Sequence, residues 1–110
     1  MEGLTPLHMA AAVDDVVTIR RLVAEGVDVN VKGVAEATPL HVAAQEGKLD
    51  AVKTLVEHGA DKDASAADGS TPLNMAAYQG HVAVVKTLLE AGADKEASAA
   101  NGATPLHNAA

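Results

Sequence analysis

The sequence predicts an all-α solenoid of 33-residue helix–turn–helix units joined by β-hairpin fingers. Three observations predict it. Thr5-Pro6-Leu7-His8 recurs in step as Thr38-Pro39-Leu40-His41, Thr71-Pro72-Leu73-Asn74 and Thr104-Pro105-Leu106-His107. Ala pairs follow at Ala10-Ala11, Ala43-Ala44, Ala76-Ala77 and Ala109-Ala110, and Gly26, Gly59 and Gly92 each stand two places before an Asp. The apolar residues, 48% of the chain, include no Phe, no Trp and one Tyr. Small side chains suit closely packed helices better than a sheet sandwich. Residues 1–110 thus read as one domain, with repeats at 5–37, 38–70 and 71–103 and a partial fourth at 104–110.

Each unit has a local physical reading. Thr is a good N-cap, and Pro directly after it sits at N1, where its missing N–H costs nothing. A first helix is therefore expected from Pro6 to Val13, Pro39 to Glu46 and Pro72 to Gln79. Gly47 and Gly80 end it in a left-handed conformation. A second helix follows over Val16–Glu25, Leu49–His58 and Val82–Ala91. Its apolar stripe reads Val16, Ile19, Leu22, Val23, then Leu49, Val52, Leu55, Val56, then Val82, Val85, Leu88, Leu89, offsets that mark one helix face. Gly26, Gly59 and Gly92 stop it. The stretches 28–37, 61–70 and 94–103 are small and polar, and Asp68-Gly69 and Asn101-Gly102 are tight-turn signals. One unit cannot bury its apolar face alone, whereas stacked neighbours can.

On these tetrads, Ala pairs and Gly-(Ala/Val)-Asp signals the chain resembles an ankyrin-repeat protein over nearly its whole length. The resemblance implies a slightly curved solenoid whose fingers and first helices form a concave, protein-binding groove. It implies a structural role for Thr5, Pro6, His8, Thr38, Pro39, His41, Thr71, Pro72, Asn74, Thr104, Pro105 and His107, with the His bonded to turn backbone between units. It places Tyr78, Gln79, Gln45, Glu46, Val13, Ser65, Asp68, Ser70 and Asn101 on the partner-binding surface. Around them lie Ala12, Lys32, Val34, Ala35, Ala37 and Ala67. Tyr78 is the one candidate anchor of the kind that dominates interfaces.

Unit one departs from the pattern. Asp14 stands where the others have Gly47 and Gly80, and Ala35-Glu36 where they have Asp-Gly or Asn-Gly, so a looser first finger is expected. The sequence stops in the first turn of a fourth unit. This predicts either excision from a longer array or an apolar end near Leu106 that favours self-association.

Other function classes fit poorly. Eight basic residues against fifteen acidic ones, a net charge of −7, do not suit phosphate binding, so no nucleic-acid partner is expected. No apolar run approaches the ~18 residues that span a bilayer, and the start lacks a secretory signal, so no membrane association and an intracellular, cytoplasmic location are expected. There is no Cys. The tetrad histidines recur on units about 8 to 10 Å apart, too far to share one zinc ion. No His-Glu-x-x-His, Gly-x-Ser-x-Gly or phosphate-cradling glycine loop occurs. No enzyme, metal or cofactor is expected. The function expected is that of a protein–protein interaction module, the alternative a spacer segment of a longer array. The basic column Arg20, Lys53 and Lys86 reads first as a solvated helix face.

Overall fold

The structure, a computed structural model, describes residues 3–93. Among the described residues six α-helices pair into three units: α1 (Pro6–Ala12) with α2 (Val16–Ala24), α3 (Pro39–Glu46) with α4 (Leu49–Glu57), and α5 (Pro72–Tyr78) with α6 (Val82–Glu90), and one turn of 3-10 helix spans Val34–Glu36. Each α-helix end lies within a residue of the sequence expectation. The first helices form one layer, α1 on α3 and α3 on α5, and the second helices stack behind them.

The tetrad explains why each first helix starts where it does. The Thr5, Thr38 and Thr71 hydroxyls accept from the backbone N–H of His8, His41 and Asn74, at 3.4, 3.3 and 3.1 Å. The returning bond closes a capping box: each Thr N–H donates to His8 Nδ1, His41 Nδ1 or Asn74 Oδ1 at 3.2, 3.0 and 3.0 Å. Leu7, Leu40 and Leu73 then point into the core beside the buried Ala pairs of α1, α3 and α5. Small residues there let neighbouring first helices approach closely.

The second helices bury Ile19, then Ala51, Val52 and Leu55, then Val84, Val85 and Leu88. This corrects the expected stripe in the third unit. Val82 is 62% exposed, while Val84 is buried at 1%. Leu49, in the same column, packs against the core in a helix flanked on both sides by α2 and α6, whereas among the described residues α6 has a second helix, α4, on one side only, and Val82 lacks that cover. The position that faces inward carries Thr18, Ala51 and Val84 in successive units, a column too mixed in polarity to announce itself.

The fingers are also corrected. Among the described residues no β-strand forms, and the fingers at 28–37 and 61–70 are built from isolated turns. Each tip is closed by a bond across the turn and another inside it: Gly33 N–H to Ala37 O at 2.8 Å with Glu36 N–H to Gly33 O at 3.0 Å, and Ala66 N–H to Ser70 O at 2.8 Å with Gly69 N–H to Ala66 O at 2.9 Å. A ladder needs repeated pairs, and here the remaining groups turn to the neighbouring unit instead. Val34 N–H donates to the Gly3 carbonyl, and Ala67 N–H to the Ala35 carbonyl at 2.8 Å. Asp61 N–H donates to Asn30 Oδ1 at 2.7 Å.

Unit one compensates for its departures. Asp14 adopts φ 62, in register with Gly47 at 72 and Gly80 at 78. Its Oδ1 accepts from Ala51 N–H at 2.8 Å, capping α4, whose own N-cap Lys48 makes no such bond. In the first finger Ala35 and Glu36 are both left-handed, at φ 56 and 58, and Glu36 occupies the position that Gly69 holds in the second. A left-handed L-residue costs about 1 to 2 kcal/mol. Glu36→Gly is therefore expected to stabilise the chain by about 1 kcal/mol, read as a higher denaturation midpoint. No change would mean that this turn carries no strain.

Asn101, Thr104, Pro105 and His107, and the apolar end at Leu106, lie outside the described residues.

Candidate interaction groove

The first helices are seven or eight residues long, so a residue two places beyond the buried Leu sits about 200° round the helix, on the face away from the core. Met9, Val42 and Met75 occupy that position in the three units. Met9 is 45% exposed, and Val42 and Met75 are half-buried. Val42 and Met75 floor a groove of about 520 Å³ between the first helices and the fingers. Leu4 and Ala12 close one end. Val34, Ala35, Ala37, Ala66 and Ala67 form the finger wall, and Gln45, Glu46 and Asp68 supply the polar lining.

The wall is held in place by buried imidazoles. His8 Nε2 donates to the Ala37 carbonyl at 2.7 Å, and His41 Nε2 to the Ser70 carbonyl at 2.9 Å. Each ring thus ties a helix start to the end of the finger that leads into the next unit. With Nε2 donating, Nδ1 is left as the acceptor of the capping box, so the ring works as the neutral tautomer. Burial pushes the His41 pKa below the ordinary imidazole value, which keeps it neutral. At the finger tip, Asp68 Oδ1 accepts from Ser70 N–H at 2.9 Å. That backbone bond, with the Ser70 hydroxyl, lowers the Asp68 pKa, so the carboxylate keeps its charge.

Two comparisons bear on this architecture. A family model described as "Ankyrin repeats (3 copies)" matches residues 1–66, and one described as "Ankyrin repeats (many copies)" matches residues 55–109. The chain belongs to the ankyrin-repeat family. A search of curated proteins finds no match. Ankyrin repeats are generally protein-interaction modules and typically non-enzymatic.

Of the surface residues named from the sequence, Gln45, Glu46 and Asp68 come together in the groove of this ankyrin-repeat chain. Tyr78, 72% exposed, repeats the position of Gln45 one unit on, outside the lining itself. Val13, 70% exposed, and the exposed Gln79 repeat the position of Glu46 in the flanking units. Ser65 is exposed, and its carbonyl accepts from Lys32 Nζ at 3.4 Å. Ser70 is buried at 9%, with its backbone N–H and carbonyl both engaged at the finger base. Sequence reasoning missed the floor residues Val42 and Met75. The signal was present: an apolar residue on the face opposite Leu40 and Leu73 has no place in the core.

His58 and His81 sit at helix ends. His58 is exposed and its Nδ1 meets the Thr54 carbonyl at 2.8 Å. His81 Nε2 donates to the Gln45 carbonyl at 2.9 Å, and its ring lies over Gly47, where a Cβ would come within 2.7 Å. That contact joins the second and third units just below the groove. Among the described residues no three His, Asp or Glu side chains cluster as a metal site, and no helix is long and apolar enough to cross a membrane.

Proposed function

We propose that this ankyrin-repeat chain is a non-enzymatic protein-binding module that engages its partner through the groove between the first helices and the fingers. The observation that carries this reading is an apolar floor open to solvent, Val42 and Met75, in helices whose other face is already buried by the core. Exposed apolar surface rimmed by polar groups is the usual mark of a contact site. Gln45, Glu46 and Asp68 would set orientation. Val13, Tyr78 and Gln79 extend the surface into the flanking units. Ser70, engaged at the finger base, is left with a positioning role.

The test is a set of binders selected against the chain from a displayed peptide library. Tyr78→Ala and Met75→Arg are each expected to cost about 2 kcal/mol or more of affinity, as hot-spot changes do. Lys53→Ala, exposed on α4, is the control and should leave affinity unchanged. Binders indifferent to Met75→Arg would sink the groove reading. A second reading, a spacer within a longer array, is favoured by the absence of any aromatic side chain from the groove lining among the described residues. It predicts that selection returns no groove binders at all.

A further inference from the structure

We infer that the groove accepts an extended segment that is both basic and apolar, with an Arg or Lys seated between aliphatic side chains. This rests on the binding-module reading and names the chemistry of its occupant. The charged residues that line the groove, Glu46 and Asp68, are both acidic. Glu46 is exposed and forms no ion pair among the described residues, where the ion pair present joins Arg21 to Glu25. Asp68 is held ionised by Ser70. Lys32 does not neutralise them through the groove: it lies outside the lining and reaches toward the Ser65 carbonyl.

An apolar floor by itself takes any aliphatic segment. Carboxylates beside it select among them, because an acidic occupant meets like charge at close range and a basic one does not. The net charge of −7 steers cations the same way from a distance.

Register along the groove follows from the repeat. Glu46 belongs to the second unit, and its column carries exposed Val13 in the first and exposed Gln79 in the third, where Gln79 directly follows exposed Tyr78. First helices pack about 8 to 10 Å apart, and an extended chain rises about 3.3 Å per residue. An aliphatic residue three places either side of the cation therefore meets the flanking unit, giving the pattern aliphatic-x-x-Arg-x-x-aliphatic.

The probe is a fluorescein-labelled peptide with Leu three residues either side of a central Arg and Ser between them. It is compared with versions carrying Gln or Glu at the centre, by fluorescence anisotropy. Affinity is expected to fall from Arg to Gln to Glu, with Arg over Glu by about tenfold or more at low salt and a smaller gap at high salt. Glu46→Gln combined with Asp68→Asn should remove the preference for Arg while leaving the circular dichroism unchanged. Asn keeps the acceptor that Ser70 N–H needs, and Asn101 holds the same repeat position. Equal binding of all three peptides, or no binding of the Arg peptide, overturns the inference. The two readings fail separately. Equal binding that Met75→Arg abolishes leaves the groove intact and removes only the charge selection, whereas Arg-selective binding untouched by Met75→Arg removes the groove itself.

Discussion

Leu73→Ala is expected to destabilise the chain by about 2 to 5 kcal/mol, read from equilibrium denaturation. Leu73 is 1% exposed, and α5 packs it among α3 and α6. The cost should sit toward the upper end because Leu73 is fully buried in a core cluster rich in Ala, with Ala76 and Ala77 one turn along its own helix, and Ala has no atoms to spare for filling the space. Cores built on small residues collapse poorly around a cavity, and the loss rises with the volume left behind. In a solenoid the damage does not stop at one unit, since each interface is half of the next unit's support. A cost below about 1 kcal/mol would mean that the stacked first helices are not the core.

His41→Ala is expected to cost about 2 to 6 kcal/mol. It strands two buried backbone groups at once, the Thr38 N–H and the Ser70 carbonyl, at about 1 to 3 kcal/mol each. His41→Asn should cost about half as much, because Asn74 already makes the equivalent bond to Thr71 N–H at 3.0 Å in the next unit. The pH dependence separates the roles. Burial lowers the folded pKa of His41, so the unfolded chain binds more protons and stability rises with pH. The contribution is complete above the unfolded value of about 6.5 and is lost as the pH falls from there through the folded value. His41→Asn should remove this component from a plot of midpoint against pH. A plot identical to that of the parent chain would overturn the neutral, buried role of the ring.

These two residues differ in how openly the sequence declared them. Leu73 is legible because its interval repeats and its neighbours repeat with it. His41 was legible as a structural residue through the family resemblance, and its donor and acceptor assignments follow from the tautomer. Other features hid because the column that carries them is chemically mixed. Thr18, Ala51 and Val84 share one inward position, yet the apparent stripe pointed to Val82. The groove floor hid for a different reason. Val42 and Met75 stand between the tetrads and the Ala pairs, where every apolar residue invites a core assignment, and only the short helix's rotation separates them from Leu40 and Leu73.

Asp14 and Glu36 mark a further limit. Both occupy positions where the other units carry Gly, and local chemistry alone rates both as unfavourable. Asp14 is rescued by a bond to Ala51, a partner 37 residues away. Glu36 has only the turn it sits in and the neighbouring finger contacts to hold it. Nothing in the local sequence distinguishes the two cases.

Taken alone, the sequence determined the unit length, the helix boundaries to within a residue, and the residues that cap and bury each first helix. Those follow from contacts made within a single turn, or from a periodicity that only stacked copies can satisfy. The tertiary structure decided which carbonyl each buried imidazole meets, how unit one replaces its missing glycine, that the fingers at 28–37 and 61–70 form without strands, and which side chains floor the groove. These depend on groups some thirty residues apart arriving at the same point, and no local propensity encodes that distance.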